Sequence, residues 1–295
     1  LISKIVTPIK IQQYRKIYKY LFSMKSMTEK EYGIIKVKEP EFKQRKLLRV
    51  PHKQDDLIVS YPAFGPNFLK NNITEMQKSY SHPQTGERIS FREPTTSESI
   101  SAAAYDFGNL AKPQIFDPKW LQAGRIVRTS EGVFANPPKD AKGNIIIDEK
   151  TLKSYLNGVK PVKVGNGNIY IISDAENLKD FGFADYDSFE RGIQDCDTFS
   201  QGGLARILEH TEEKEAKNLR KIASPKFYKR EVNIYGFDNV REPVLRVVGL
   251  DSGRYLGYSG LYGWLGVDGY YWGDYDGCAF GVLNKSAEGA SQKNK

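Results

Sequence analysis

Residues 162–172 read Val162-Lys163-Val164-Gly165-Asn166-Gly167-Asn168-Ile169-Tyr170-Ile171-Ile172. Two runs rich in β-branched residues flank a Gly-Asn-Gly-Asn turn, which is the pattern of a β-hairpin. The glycines are not a dinucleotide-binding loop, because a strand follows them where that fingerprint opens a helix. Upstream, Arg125–Thr129 and Gly132–Ala135 form a second hairpin through Ser130-Glu131. Downstream, Glu231–Tyr235 and Val244–Val248 read as strands around a loop at 236–243. Shorter strands are expected at Leu57-Ile58-Val59, Arg88–Phe91, Gly143–Ile147 and around Leu47, Leu48 and Val50, where Pro51 argues against a central strand.

Helices are interspersed with these strands. Thr95 and Glu98 have capping-box spacing before the alanine-rich stretch Ser99–Tyr105. Asp117-Pro118-Lys119-Trp120-Leu121 resembles a helix start, cut short by Gly124. Asp148 or Thr151 caps a helix over Leu152–Asn157, with Gly158 at its exit. Ser173 and Glu176 form another box. The strongest helical pattern covers residues 202–223, where Leu204, Ile207, Leu208, Leu219 and Ile222 share a stripe and Pro225 lies just beyond. No regular alternation of strands with long helices occurs, so a barrel or doubly wound sheet is not expected. The body reads as α+β, a mixture of short strands and helices.

Two flanking segments differ from that body. Residues 1–60 hold 14 Lys/Arg against 6 Asp/Glu, so they account for the whole net charge of +8 in the 295-residue chain. After Pro8, residues 9–24 read as an amphipathic helix with Tyr14, Ile17, Tyr18 and Leu21 on one face. The interrupting lysines and arginine make these residues a poor signal peptide. Without a missing presequence the chain is expected to be soluble and cytoplasmic. We divide the chain into a basic N-terminal arm (1–50), a mixed body (51–250) and a glycine-aromatic C-terminal segment (251–295) able to pack on the body.

That last segment runs Tyr255–Leu283 and holds nine aromatic residues and eight glycines among 29. Gly257, Gly260, Gly263, Gly266 and Gly269 recur every third residue, a period that matches neither sheet nor simple helix. A membrane span needs roughly 20 apolar residues, whereas the charge-free stretch Tyr255–Val267 is 13 residues long. Glycine permits close approach, and tyrosine and tryptophan offer faces on which bases stack.

Catalytic motifs are weak. Asp180-Phe181-Gly182 copies a kinase tripeptide, but no glycine-rich loop or HRD motif accompanies it. Asp268, Asp274 and Asp276 do not fit a calcium loop. His52, His82 and His210 sit in different local settings and read as scattered structural or surface side chains. Cys196, among Asp185, Asp187, Glu190, Asp195 and Asp197, would need His82 or His210 beside it to act as a nucleophile. Asn72-Ile73-Thr74 and Asn284-Lys285-Ser286 match the glycosylation acceptor pattern. No cofactor and no metal site are implied.

The localised positive charge and the aromatic segment point to a non-catalytic protein that binds a polyanion, nucleic acid first among them. Lys43, Arg45, Lys46, Arg49 and Lys53 would neutralise phosphates, and Tyr258, Tyr262, Trp264, Tyr271 and Trp272 would stack on bases. The alternatives are a structural protein that contacts copies of itself or a larger assembly, and a hydrolase acting on a polymer.

Overall fold

The hairpin at 162–172 forms as its sequence predicts. In the computed structural model β9 (Val162–Val164) folds back on β10 (Gly167–Ile171), with Gly167 opposite Val164. The structure describes residues 43–109, 120–172, 178–224, 230–251, 265–271, 273–274 and 276–284. The helix read at 9–24, the box at Ser173 and Glu176, and Tyr258, Tyr262, Trp264 and Trp272 lie outside these residues. The chain divides into two compact units, Leu1–Lys43 and Gln44–Lys295. All the described strands and helices belong to the second unit.

The N-terminal half of that unit is built from β1 (Lys46–His52), β2 (Asp55–Tyr61), β3 (Phe64–Asn67), α1 (Leu69–Met76), β4 (Tyr80–Ser81), β5 (Arg88–Ile89), β6 (Phe91–Arg92) and α2 (Thr96–Asn109). Next come β7 (Leu121–Arg128), β8 (Gly132–Ala135), α3 (Glu149–Ser154), β9, β10, β11 (Gly182–Asp185) and a 3-10 turn at Tyr186–Ser188. The rest comprises β12 (Gly192–Asp195), α4 (Cys196–Gln201), α5 (Gly203–Glu209), α6 (Lys217–Ala223), β13 (Glu231–Tyr235), β14 (Val244–Asp251), β15 (Leu265–Tyr271), β16 (Gly277–Ala279) and β17 (Val282–Leu283).

The large sheet has the order β12-β13-β15-β14-β7-β8-β11-β10-β9, with β16 and β3 attached beside β7. Its pairs are antiparallel except β13 with β15 and the single β16–β7 pair. A smaller sheet has the order β1-β2-β17-β6. Pro51 lies within β1, which is an edge strand, where a missing N–H costs least. The main core joins Val50 and Val59 of the small sheet, Ile100 and Ala103 of α2, Ile207 and Leu208 of α5, and Val248 and Val267 of the large sheet. Mixed α/β architecture is therefore observed, and among the described residues no helix is long and apolar enough to cross a membrane.

Two caps match their sequence signatures. Thr95 N–H donates to Glu98 Oε2 at 2.9 Å, and Glu98 N–H donates to Thr95 Oγ1 at 3.2 Å, closing the capping box of α2. Asp148 Oδ2 accepts from Thr151 N–H at 2.8 Å at the start of α3.

Four expectations are corrected. Leu121 opens a strand instead of continuing a helix: the run to Arg128 is paired by β14 on one side and β8 on the other, and two buried ladders outweigh a local cap signal. Residues 202–223 form two helices, because His210 at φ 54 ends α5 in a left-handed turn. Residues 143–147 make only the isolated Lys139–Ile145 bridge, so that strand is absent. The glycine period of three does not exclude a sheet, since Leu265–Tyr271 is a strand paired on both sides. The glycines there admit neighbours: a Cβ on Gly269 would lie 2.8 Å from the Phe237 ring, and one on Gly281 would lie 2.8 Å from Phe64 and Phe91.

Candidate anion-binding site

The basic residues singled out in the sequence are placed unequally. Lys43 and Lys46 are exposed and pair with no carboxylate among the described residues. Arg45 is half-buried, donating from Nη2 to Pro62 O at 2.7 Å with its guanidinium carbon 3.9 Å from the Phe64 ring centroid. Arg49 pairs with Asp56 at 3.2 Å across the β1–β2 hairpin. Lys53, in the turn, is drawn inward onto Asp180 and His210. Tyr271 contributes its backbone to β15, opposite Val247.

Lys53 belongs to a buried polar knot. The Asp180 carboxylate, 1% exposed, accepts from the Lys53 ammonium, from Thr95 Oγ1 at 2.5 Å and from Ser97 Oγ at 3.1 Å. Burial alone would raise this carboxyl; the Lys53 and Thr95 bonds outweigh it and hold it at about 2. Ser97 Oγ is also 3.5 Å from His52 Nε2, and His52 Nδ1 lies 2.9 Å from Ser101 Oγ. Burial keeps His52 below the usual imidazole value. Two of the three histidines thus gather around one carboxylate through Ser97 and Lys53, a correction to their reading as scattered. Among the described residues the non-glycine positive-φ positions are Lys53, Asn136, Asp180, His210 and Arg230, and the first four meet here, Asn136 Nδ2 donating to Asp180 O at 2.8 Å. Every bond within the knot is satisfied internally, and its serines are buried. Its chemistry is that of a clamp joining the β1–β2 turn, α2 and the end of α5.

The acidic block near Cys196 is also consumed by structure. Asp195 caps α4, accepting from Asp197 N–H and Thr198 N–H at 2.9 Å. Asp197 pairs with Arg220 at 2.6 Å and Arg230 at 2.7 Å. Cys196 is buried, its Sγ 3.8 Å from Asp197 Oδ1. His82 Nδ1 accepts from the backbone of its own turn, and His210 faces Lys53, so neither histidine activates the thiol. Asn72 is buried, its amide donating to Gln122 Oε1 and Gly277 O, both at 2.8 Å, so the folded chain does not present it to a glycan. Among the described residues no three His, Cys, Asp or Glu side chains gather to hold a metal ion.

A different pair of residues concentrates positive charge. Arg246 on β14 stands opposite Ile126 on β7, and Val244 stands opposite Arg128. Alternation along each strand therefore sends both guanidiniums from the same face of the large sheet. Both are buried, Arg128 at 3% and Arg246 at 7% exposure. Tyr270 on β15, 56% exposed, lies beside them, with its ring centroid 5.5 Å from the Arg128 guanidinium carbon and 5.8 Å from that of Arg246. Arg128 donates to Gly236 O, yet its Nε has no hydrogen-bond partner and it forms no ion pair among the described residues. Arg246 Nη1 donates to Leu245 O at 2.7 Å. Burial, then repulsion from Arg128, holds the Arg246 guanidinium below its usual value.

Asp268 and Asp251 lie close by. Asp268 is buried, and its Oδ1 accepts from Tyr270 N–H at 2.7 Å. Burial, reinforced by Asp251 and opposed by Arg128, pushes its carboxyl up to about 6. Asp251 Oδ2 accepts from the Tyr235 hydroxyl at 2.7 Å. The adjoining loops are tied by Tyr186, whose hydroxyl donates to Thr129 O at 3.1 Å and lies 3.2 Å from Asp238 O. Sequence reasoning passed over Arg128 and Arg246 as ordinary strand residues. The available signal was an arginine at the centre of the apolar run Val244-Leu245-Arg246-Val247-Val248. Two buried like charges with an unfilled donor on Arg128 and an exposed ring form a receptor for an anion that carries a flat group. Comparison with known proteins finds no matching family model, no similar curated protein and no similar solved structure.

Proposed function

We propose that the protein binds a polyanion, single-stranded nucleic acid in the first instance, with phosphate on Arg128 and Arg246 and a base against Tyr270. The observation that carries this reading is the pair of buried guanidiniums beside one exposed ring. A buried arginine with an unused donor costs free energy that a bound oxyanion offsets. Stacking on Tyr270 is sequence-tolerant, because every base has a π-face. Lys46 and Arg49 add exposed positive charge on β1. Lys43, Tyr258, Tyr262, Trp264 and Trp272 extend the same reading as further phosphate and stacking contacts.

The test is fluorescence anisotropy with rhodamine-labelled oligothymidylate and the full chain. Binding is expected, and affinity should fall steeply between about 50 mM and 200 mM salt as counterion release is suppressed. Arg246→Gln and Tyr270→Ala should each weaken it, by about 1–3 kcal/mol for the lost stacking at Tyr270. Absence of binding at low salt to both DNA and RNA oligonucleotides rejects the proposal.

A second reading, self-assembly, is favoured by Ile193. It is 59% exposed on β12, the edge strand of the large sheet. Sedimentation over a range of concentrations tests it: a dimer or larger species abolished by Ile193→Lys supports it, and a strict monomer rejects it.

A further inference from the structure

Arg128 and Asp268 approach the same peptide from opposite chemical sides. The Arg128 guanidinium donates to Gly236 O, and a Cβ built on Gly236 would lie 3.0 Å from Asp268 Oδ1. Asp268 is thus the nearest buried negative charge to an arginine that has no ion pair among the described residues, yet it does not bond to it. Its carboxylate instead spends one oxygen on Tyr270 N–H, the backbone of the ring that flanks both guanidiniums. Tyr270 and Asp268 are two positions apart on β15, so movement of either is transmitted directly to the other.

We propose that anion binding at Arg128 and Arg246 is coupled to protonation of Asp268, so that the site holds a phosphodiester more tightly in mildly acidic than in mildly alkaline solution. This rests on the anion-binding reading given above. The groups facing Asp268 are Asp251 and Arg246 of β14, Tyr235 of β13, Arg128 of β7 and the Tyr270 backbone of its own strand. Asp251 repels a second negative charge there and is itself held by the Tyr235 hydroxyl. Arg128 alone favours the ionised form. An incoming phosphate cancels the field of Arg128, leaving Asp268 beside two anions in a buried setting. It then takes a proton from solvent, and the net charge of the cluster is restored. By linkage the protonated site has the higher anion affinity.

The sign follows from the two states. Above about pH 6 Asp268 is ionised and offsets one of the two guanidinium charges; below it the carboxyl is neutral and both charges act on the ligand. Each unit by which the anion raises the Asp268 pKa corresponds to about a tenfold gain in affinity. The three histidines are engaged elsewhere, His52 with Ser101, His82 within its own turn and His210 with Lys53 and Ile172 O.

Oligothymidylate is the proper probe, because a phosphodiester keeps one charge across this range whereas inorganic phosphate titrates within it. Anisotropy at constant ionic strength should show affinity about tenfold higher near pH 5 than near pH 8. Asp268→Asn retains the acceptor for Tyr270 N–H and removes the titrating charge. It should bind equally well at both pH values, with the affinity of the unmodified chain near pH 5. Equal affinity of the unmodified chain at both pH values overturns the coupling while leaving anion binding intact, as does an unchanged pH dependence in Asp268→Asn. No binding at either pH overturns both. Should Asp268→Asn fail to fold, titration calorimetry of the unmodified chain near pH 7 in buffers of different ionisation enthalpy reads the proton directly. Net uptake supports the coupling and no uptake rejects it.

Discussion

Lys53 Nζ lies 3.0 Å from His210 Nδ1, joining two residues 157 positions apart in the chain. An ammonium can only donate, so Nδ1 accepts, and the ring proton resides on Nε2, which donates to Ile172 O at 3.0 Å. His210 is thereby held as one neutral tautomer, and Lys53 is free to satisfy Asp180. Removing the carboxylate strands the Thr95 and Ser97 hydroxyls in a buried site. Asp180→Ala should destabilise the fold by about 3 kcal/mol, read as a lower urea midpoint with an unchanged slope. A change under about 0.5 kcal/mol would mean that the knot is not a clamp.

Acid should act through this same region. Arg92 and Lys179 grip Glu98 at 2.7 Å and 2.5 Å and, against the opposing effect of burial, hold it at about 2; Asp180 sits at about 2 as well. Both folded values lie below their unfolded ones, so the stabilisation is complete above about pH 4.5 and disappears as pH falls toward 2. Each group accounts for about 3 kcal/mol of this loss. Urea titrations near pH 7, 4 and 3 should show a near-constant stability followed by a steep fall, and Glu98→Gln should flatten that fall. A profile with no dependence on either carboxyl would contradict the assignment.

Asp268 should give the opposite slope. Its folded value, raised to about 6, exceeds its usual 3.8, so the folded chain binds more protons between them and stability declines as pH rises through that window. Asp268→Asn relieves the buried charge. It should stabilise the protein near pH 8 by about 2–3 kcal/mol, a gain that vanishes near pH 4. Thermal melts at the two pH values measure the difference, and equal gains at both would disprove it.

Close packing around the glycine-rich strands makes a steric prediction. Neither Gly269 nor Gly281 has a positive φ, so alanine there is penalised for volume alone. Gly269→Ala meets the Phe237 ring, and Gly281→Ala meets both Phe64 and Phe91. Each should cost about 1–3 kcal/mol, the second more than the first. A neutral Gly281→Ala in denaturant titration would show that the rings can give way.

Elements whose causes are local were legible. The Gly165–Gly167 turn, the Thr95 and Glu98 box and the Asp148 cap depend on residues within a few positions of one another, and each formed as read. The failures have distant causes. Trp120-Leu121 follows a good local helix start, but β14 and β8 claim Leu121–Arg128 from elsewhere in the chain. His210 carries no breaker signature; its left-handed turn is held from outside by Lys53 and Ile172 O. The arginine pair was invisible for the same reason, since Arg128 and Arg246 become neighbours only when β14 is laid against β7. Tyr270 was counted among the aromatic residues, but nothing near it in sequence distinguishes its exposed ring from buried ones.

The position of β17 bears on how the chain is made. Val282 pairs with Val59 on one side and Arg92 on the other, so a two-residue strand near the C-terminus is the bridge between β2 and β6. Cys278 of β16 likewise joins Leu121, while its neighbours Gly277 and Ala279 pair with β3. During synthesis, residues 46–92 leave the ribosome with their β1–β2 hairpin able to form but their sheet open at both joins. Closure waits until nearly the last codon has been translated and its residue has cleared the exit tunnel. A nascent chain stalled before Gly277 would display those unsatisfied edges to every chaperone and protease it meets.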